Sequence, residues 1–459
     1  MYTESRIVEF FDKILAKIQE KTEFLTNNSA ILKNIDVFLF IMICLSTICS
    51  IFMSNNIIAP LLCLVAVLFG LTMILNKNYR FKMAKSSLFL ILYFVLAIAS
   101  TINSTMPHQS LTGLSKTILY LLYFYATLQY LRANKDKIPV FAMIIGACVS
   151  FEIVIAFIQN YLDVLSAATW QDTARLNPEL VLTRVYGTLK PSNPNLFGGY
   201  LIVAVPFLWL YTALNFVEKH SKRFFISLIF SILAIPAIFM TGCRGAYIAL
   251  FFMIITMLFA TYNICKFHYP KIYDFVKKYL HIIMVAGISA CCAIMVCVPK
   301  ISHRILSIFA MRNDSSTSFR MNVYHSSWQM FQDNVLLGIG CGNKVFREVY
   351  GLYMLSGFDA LSAYSIYLET AVESGIFALI CYLLFIFFLI KEGVKVFFGC
   401  GDLKTRLYLT AGITGIIGVL SHGFVDTVYF RPQIQLIFWI TVGMIMVCSD
   451  FQKSEIEVK

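Results

Sequence analysis

Apolar stretches of about 17 to 23 residues recur along the chain, each long enough to cross a hydrocarbon core of roughly 30 Å as a helix. They run from Val37 to Val447 and are read at 37–53, 57–75, 86–102, 117–131, 139–161, 195–217, 224–240, 246–264, 280–298, 365–390, 407–424 and 433–449. No other feature restricts the fold as severely. A backbone inside a bilayer must satisfy its own hydrogen bonds, so the expectation is an all-α, polytopic bundle of about 12 transmembrane helices. Composition agrees: 59% of the residues are hydrophobic and only 14% are charged, which excludes an ordinary soluble enzyme. No cleavable signal is expected, because the first apolar run follows about 35 polar or amphipathic residues and leads at once into a second span.

The formal net charge of +12 invites a nucleic-acid partner, but its distribution argues against one. Basic residues gather in alternate short loops. Lys77, Arg80, Lys82 and Lys85 form one group, Lys219, Lys222 and Arg223 another, and Lys391, Lys395, Lys404 and Arg406 a third. That is the positive-inside pattern, which places these loops and both termini in the cytoplasm and needs no acidic partner. Within residues 1–35, Ile7, Phe10, Phe11, Ile14, Leu15 and Ile18 recur at helical spacing and read as an amphipathic helix on the inner membrane face. The bundle occupies 36–449 and a short cytoplasmic tail 450–459.

Two segments on the other face are long, at 162–194 and 299–364, and function is expected there. In the second, Phe319, Val323, Trp328 and Phe331 predict a helix from about Thr317 to Gln332, with Ser315, Ser316 or Thr317 as its cap. The glycines of "GIGCGN" (Gly338, Gly340, Gly342) follow that helix. A phosphate-cradling loop leads from a strand into a helix, so a tight turn is the better reading. Of the 13 cysteines, Cys243 and Cys341 alone fall on the outer side, where free thiols are a better reading than a bridge.

Four cations fall on this outer face: Arg184, Lys190, Arg244 and Arg320. Arginine suits phosphate because its planar fork bonds two oxygens at once, so the group points to a polyanion. The alternative is a set of scattered loop charges, or, for Arg244, a side chain snorkelling to headgroups. Gly242 and Gly245 flank Arg244 and allow a sharp turn and close approach of a ligand. Carboxylates are sparse. Glu369 and Glu373 share a helix face and act chemically or cap a helix start, whereas Glu152 lies inside a span and suggests function by default. No DxD, paired histidine, Asp-rich or Walker pattern occurs, so neither a metal, an ATP site nor any other cofactor is expected.

Four segments resemble one known family. "TGCRGAYIAL" is similar to the S-R-G signature of the O-antigen ligase and O-antigen polymerase superfamily, and "GTLKPSNPNLFGGYLIVAVP" resembles the stretch before it. "FRMNVYHSSWQMFQDNVLLGIGCGN" and "AYSIYLETAVESGIFALICYLL" resemble the outer-loop motif and the last segment, so the resemblance covers about 180–390. It implies a C-type glycosyltransferase of the bacterial inner membrane. Such an enzyme moves a glycan from undecaprenyl diphosphate to a hydroxyl on another glycan or a lipid A core-like acceptor. The two family arginines correspond to Arg244 and Arg320, and Arg184 is a weaker match to a basic residue before the "NPN" segment, with Lys190 and Asn195 expected to assist. Read as residues, Trp328, Tyr324 and Tyr367 either stack on sugar rings or are ordinary loop packing. Ligases of the family usually begin the last segment with histidine, where this chain has Tyr364. Tyrosine titrates near 10 and is a poor base at neutral pH, which leaves Glu369, His325 or no protein base. A polymerase is then slightly preferred over a ligase. The rival class is a transporter of lipid-linked oligosaccharide, which would more often show inverted repeats.

Overall fold

The computed structural model describes residues 6–80, 84–164, 182–297, 299–306, 308, 315–355, 357 and 359–457. Much of the first long segment therefore lies outside the described residues. Among the described residues there are seventeen α-helices and no strand. The first seven are α1 (Arg6–Asn28), α2 (Ala30–Lys33), α3 (Ile35–Phe52), α4 (Asn55–Leu75), α5 (Lys85–Asn103), α6 (Pro107–Ala133) and α7 (Ile138–Tyr161). After the first long segment come α8 (Pro194–Val217), α9 (Ser221–Met240), α10 (Arg244–His268) and α11 (Pro270–Cys297). The second long segment carries α12 (Pro299–Leu306), α13 (Ser315–Asp333) and α14 (Asn343–Tyr350), before α15 (Ile366–Gly399), α16 (Leu403–His422) and α17 (Pro432–Glu457).

Each of the twelve expected spans lies on one of these helices, and ten helices among the described residues are long and apolar enough to cross a membrane. The chain is thus a polytopic helical membrane protein. α6 is not among the ten, because its first turns read "PHQSLTGLSK". The expected span at 117–131 is the apolar remainder of a helix that starts ten residues earlier. The ninth span, at 280–298, falls largely outside the described side chains.

α17 is buried along its whole apolar stretch, and α8 and α16 along most of theirs. They form the centre of the bundle, as helices apolar on every side do. α9 and α10 bury little more than a quarter of theirs and turn Ile229, Ile232, Phe251 and Leu258 outward, the faces lipid would cover. At one end, charged residues pin the short loops together: Arg132 to Asp450 at 2.8 Å and Lys404 to Glu218 at 2.6 Å. Buried Arg406 donates to the Phe397 carbonyl at 3.0 Å and to His268 at 2.8 Å, and its guanidinium lies 3.9 Å from the Phe267 ring centroid. Here α1 lies against α4. Buried Gln19 donates to the carbonyls of Met73, Asn76 and Tyr79, while Phe10, Phe11, Ile14 and Ile18 stay exposed. The opposite end carries the long segments.

Candidate functional site

The first long segment re-enters the bundle as irregular backbone, which requires internal partners for its polar groups. α7 supplies them from Glu152 and Gln159, two turns apart on one face. Glu152 is fully buried and accepts from the Thr188 amide at 2.9 Å and from the Thr188 hydroxyl. Gln159 accepts from the amides of Tyr186 at 3.0 Å and Gly187 at 2.9 Å, and donates to the Gly187 carbonyl at 2.8 Å. Gly187 has φ +63°, and a Cβ there would sit 2.2 Å from the Glu152 carboxylate, so only glycine lets the strap lie this close. Glu152 is therefore a clamp on the strap rather than a member of the cavity described below, which corrects its reading as a functional charge. The strap ends where the Asn193 side chain accepts from the Asn195 amide at 2.8 Å and caps α8.

The strap delivers Arg184 to the tight turn between α9 and α10. Its Nε donates to the Thr241 carbonyl at 2.9 Å and its terminal nitrogen to Asn195 Oδ1 at 2.5 Å. Gly242 has φ +62°, and a Cβ there would meet the Arg184 side chain at 2.9 Å. A Cβ on Gly245 would meet Val425 at 2.9 Å. The glycines thus admit other parts of the chain, where the sequence suggested the approach of a ligand. Arg304, which sequence reading missed, donates to the Gly242 carbonyl at 2.9 Å. Burial and the neighbouring Arg304 charge pull the Arg184 guanidinium down to about 10. Cys243 and Cys341 are both free thiols. Cys243 Sγ lies 3.4 Å from His422 Nε2, and Cys341 Sγ lies 3.7 Å from Ser374 Oγ.

α13 supplies Arg320. It donates to Asp426 at 3.0 Å and to the Val425 carbonyl, and lies 5.2 Å from the centroid of the Tyr364 ring. Asp426 is itself fixed, accepting from the amides of Thr427 at 2.8 Å and Val428 at 3.2 Å. Burial is the largest influence and opposes the Arg320 charge, but Asp426 together with Tyr324, Cys243 and Tyr364 outweighs it and holds the guanidinium above its ordinary value. Burial, then Asp426, pushes the Tyr364 hydroxyl up, so it stays protonated at neutral pH.

α15 is broken at Gly375 (φ 81°, ψ 174°), and the "VLLGIG" loop fills the break. The Ile376 amide donates to the Val335 carbonyl at 2.8 Å. The amides of Ile339 and Gly340 donate to the carbonyls of Val372 at 2.9 Å and Glu373 at 3.1 Å. Ser100 adds a hydroxyl to the Glu373 carbonyl at 2.5 Å, and Ser104 one to that of Ile339 at 2.7 Å. A Cβ on Gly375 would lie 2.1 Å from the Leu336 carbonyl oxygen, and one on Gly338 2.5 Å from the Glu373 backbone. The glycine-rich run is the tight turn expected, and its task is to wedge a membrane helix. The wedge holds the first part of α15 so that Glu369 accepts from the Ala363 amide and Glu373 from the Gly342 amide at 2.8 Å.

These pieces enclose a cavity of about 800 Å³. Arg184, Asn195, Arg320, Tyr364, Glu369 and Glu373 line it, all drawn from the expected set. Asp426, Lys116 and Arg431 line it too and were missed. The signal for Asp426 and Arg431 was the pair of charges in the short "VDTVYFR" connection, and for Lys116 its place at the edge of a short span. Ile58, Leu62, Leu90 and Trp439 make the wall apolar towards the bundle.

Six expected residues lie elsewhere: Tyr324 donates its hydroxyl to the Tyr364 carbonyl at 3.1 Å and Tyr367 to the Leu420 carbonyl at 3.0 Å, and neither lines the cavity. Arg244 begins α10, half-buried, outside the cavity wall. Lys190 is exposed, and only its carbonyl is engaged, accepting from Gln433 at 2.9 Å. His325 and Trp328 fall on the outer side of α13, because Val323, Ser326, Ser327 and Met330 take its buried face.

Comparison with curated proteins returns no match. Residues 229–383, which contain the Arg244 turn, α13, the glycine wedge and the carboxylate-bearing part of α15, match the family model described as O-antigen ligase. The match covers 155 of the 459 residues and supports the resemblance to the O-antigen ligase and polymerase superfamily.

Proposed function

We propose that this chain is a glycosyltransferase that polymerises glycans carried on undecaprenyl diphosphate at the outer face of the bacterial inner membrane. The family match supports a glycosyl-transferring enzyme of polysaccharide biosynthesis. The observation that carries the reading further is one cavity lined by two half-buried, pre-oriented arginines, Arg184 and Arg320, and by three carboxylates, Glu369, Glu373 and Asp426, with an apolar wall reaching into the bundle. Arg320 and Arg184 use part of their donors to fix themselves, and each keeps N–H groups for phosphate oxygens.

The acceptor hydroxyl attacks the anomeric carbon of the donor sugar. The bond from that carbon to the diphosphate oxygen breaks, and the electron pair leaves with the diphosphate. Cations already in place stabilise that charge without reorganisation in a poorly hydrated site. The hydroxyl proton passes to Glu369 or Glu373, which share one helix face. His325 is exposed away from the wall, so it drops out as the base. Tyr364, held protonated, acts as a hydrogen-bonding and stacking group. Arg244 keeps a proposed role in holding the donor, since it follows within two residues the turn on which Arg184 packs.

Purified protein given only the lipid-linked repeat is expected to build a ladder of longer lipid-linked glycans. If the repeat stays unchanged until a lipid A core-like acceptor is supplied, the chain is a ligase and the polymerase reading is wrong.

A further inference from the structure

Lys116 is the tenth residue of α6, about 14 Å along the axis from its start at 1.5 Å per residue. It ends the polar start of α6, one residue before the expected apolar span at 117–131, and its side chain is exposed, so its charge is tolerated where it faces a wet cavity rather than lipid. Lys116 lines the cavity, and so does Arg431, immediately before α17. Tyr120 lies one turn beyond Lys116 on the same face, within electrostatic reach of Arg431, so the two cations flank a single stretch of wall where α6 packs on α17.

Their state differs from that of the two half-buried arginines, Arg184 and Arg320. Arg184 and Arg320 are held by protein acceptors, and Arg184 lies within electrostatic reach of Arg320. Among the described residues no hydrogen bond or ion pair reaches the side chain of Lys116 or Arg431. Glu373 is within electrostatic reach of Lys116, but its carboxylate is already turned to the Gly342 amide. The cavity thus contains two cation groups, one preset by the protein and one without an anion of its own. At about 800 Å³ it is near the upper end of the roughly 300–1,000 Å³ usual for ligand pockets.

We propose that Lys116 and Arg431 form a second anion subsite, which takes the diphosphate of the acceptor, so that both glycans enter the cavity linked to a polyprenyl diphosphate. This rests on the reading that Arg184 and Arg320 hold the donor diphosphate. A ligase acceptor offers a sugar hydroxyl but brings no polyprenyl diphosphate. A polymerase acceptor brings its own diphosphate and a second lipid tail, which the apolar wall of Ile58, Leu62 and Leu90 suits.

Undecaprenyl diphosphate, which carries no sugar to transfer, counts the subsites. Full-length protein in detergent, titrated with it and weighed by native mass spectrometry, is expected to saturate at two copies. Lys116→Gln/Arg431→Gln should weaken the second copy at least tenfold and keep the first, while Lys116→Arg/Arg431→Lys retains both. Excess phosphatidylglycerol should displace neither. Saturation at one copy, a single diphosphate spanning all four cations, overturns the second subsite and leaves the donor reading intact. Two tight copies in the double Gln variant, or displacement of the second copy by phosphatidylglycerol, also overturn it. No binding at all overturns the donor reading as well. Arg431→Gln alone changes an exposed side chain, so it keeps the test decisive should the double variant fail to fold.

Discussion

Arg320 shows how a single side chain is prepared for charge that appears only during reaction. Asp426 and the Val425 carbonyl grip its fork and Tyr364 covers its face, so its direction is set before substrate arrives. Arg320→Ala should lower ladder formation about 100- to 1000-fold, the usual loss for a charge-stabilising donor, with the protein's level in the membrane unchanged. Arg320→Lys should recover little, because a point charge cannot reproduce the fork. Quantified glycan ladders from membranes of equal protein content check both, and near-normal product from the alanine variant would remove Arg320 from the site. Glu369→Gln should slow transfer about 100-fold or more if that carboxylate takes the proton. Tyr364→Phe should cost only about 0.5–1.5 kcal/mol, one hydrogen bond. Single-turnover rates separate the two, and full activity in Glu369→Gln would pass the role of base to Glu373.

At the scale of elements, two departures from regular helix do the positioning. The strap at 182–193 is irregular backbone made tolerable by Glu152 and Gln159, and it exists to bring Arg184 to the α9–α10 turn. The break in α15 is held open by the glycine loop, and it orients the segment that bears Glu369 and Glu373. A side chain at Gly375 would need a positive-φ extended conformation that is essentially glycine-only and costs on the order of 1–3 kcal/mol, before any clash of its Cβ with the Leu336 carbonyl. Gly375→Ala is therefore expected to lower the melting temperature of the purified protein and to abolish transfer, although residue 375 itself does not line the cavity. A melting curve and ladder assay matching those of the wild type would mean that the wedge is not needed.

The whole molecule has two dissimilar ends. One is tied by short charged loops, through Arg132 with Asp450 and Lys404 with Glu218. The other carries the strap, the long segment with α13 and α14, and the cavity. The excess of lysine and arginine at the first end predicts that it faces the cytoplasm. Reporter fusions at Lys82, Lys222 and Lys404 should give cytoplasmic signals, and fusions beside Arg184 and Arg320 outer ones. An outer signal at Lys222 would invert the molecule and put the cavity on the wrong side for a donor that is used outside.

The polytopic helical architecture, and the place of ten of the twelve expected spans, were written in the sequence, because burial in lipid is decided by local composition and each span reports it independently. The helix of α13, the tightness of the glycine turn, and the approach of Arg184, Arg320, Glu369 and Glu373 to one end were also legible, from periodicity and loop sidedness. What only the tertiary structure decided was which of the residues at that end meet. His325 and Arg320 are five apart on α13, yet the phase of its buried face sends one to the surface and the other into the cavity. Glu152 looked functional because a carboxylate inside a span is costly, and the cost is met by the Thr188 amide and hydroxyl from a segment 36 residues away. Lys116 falls just before the expected span at 117–131, and the polar start of α6 that carries it is helix. Composition marks that turn as unfit for lipid, whereas the packing of α6 against α17 and the wedge gives it a cavity to face instead.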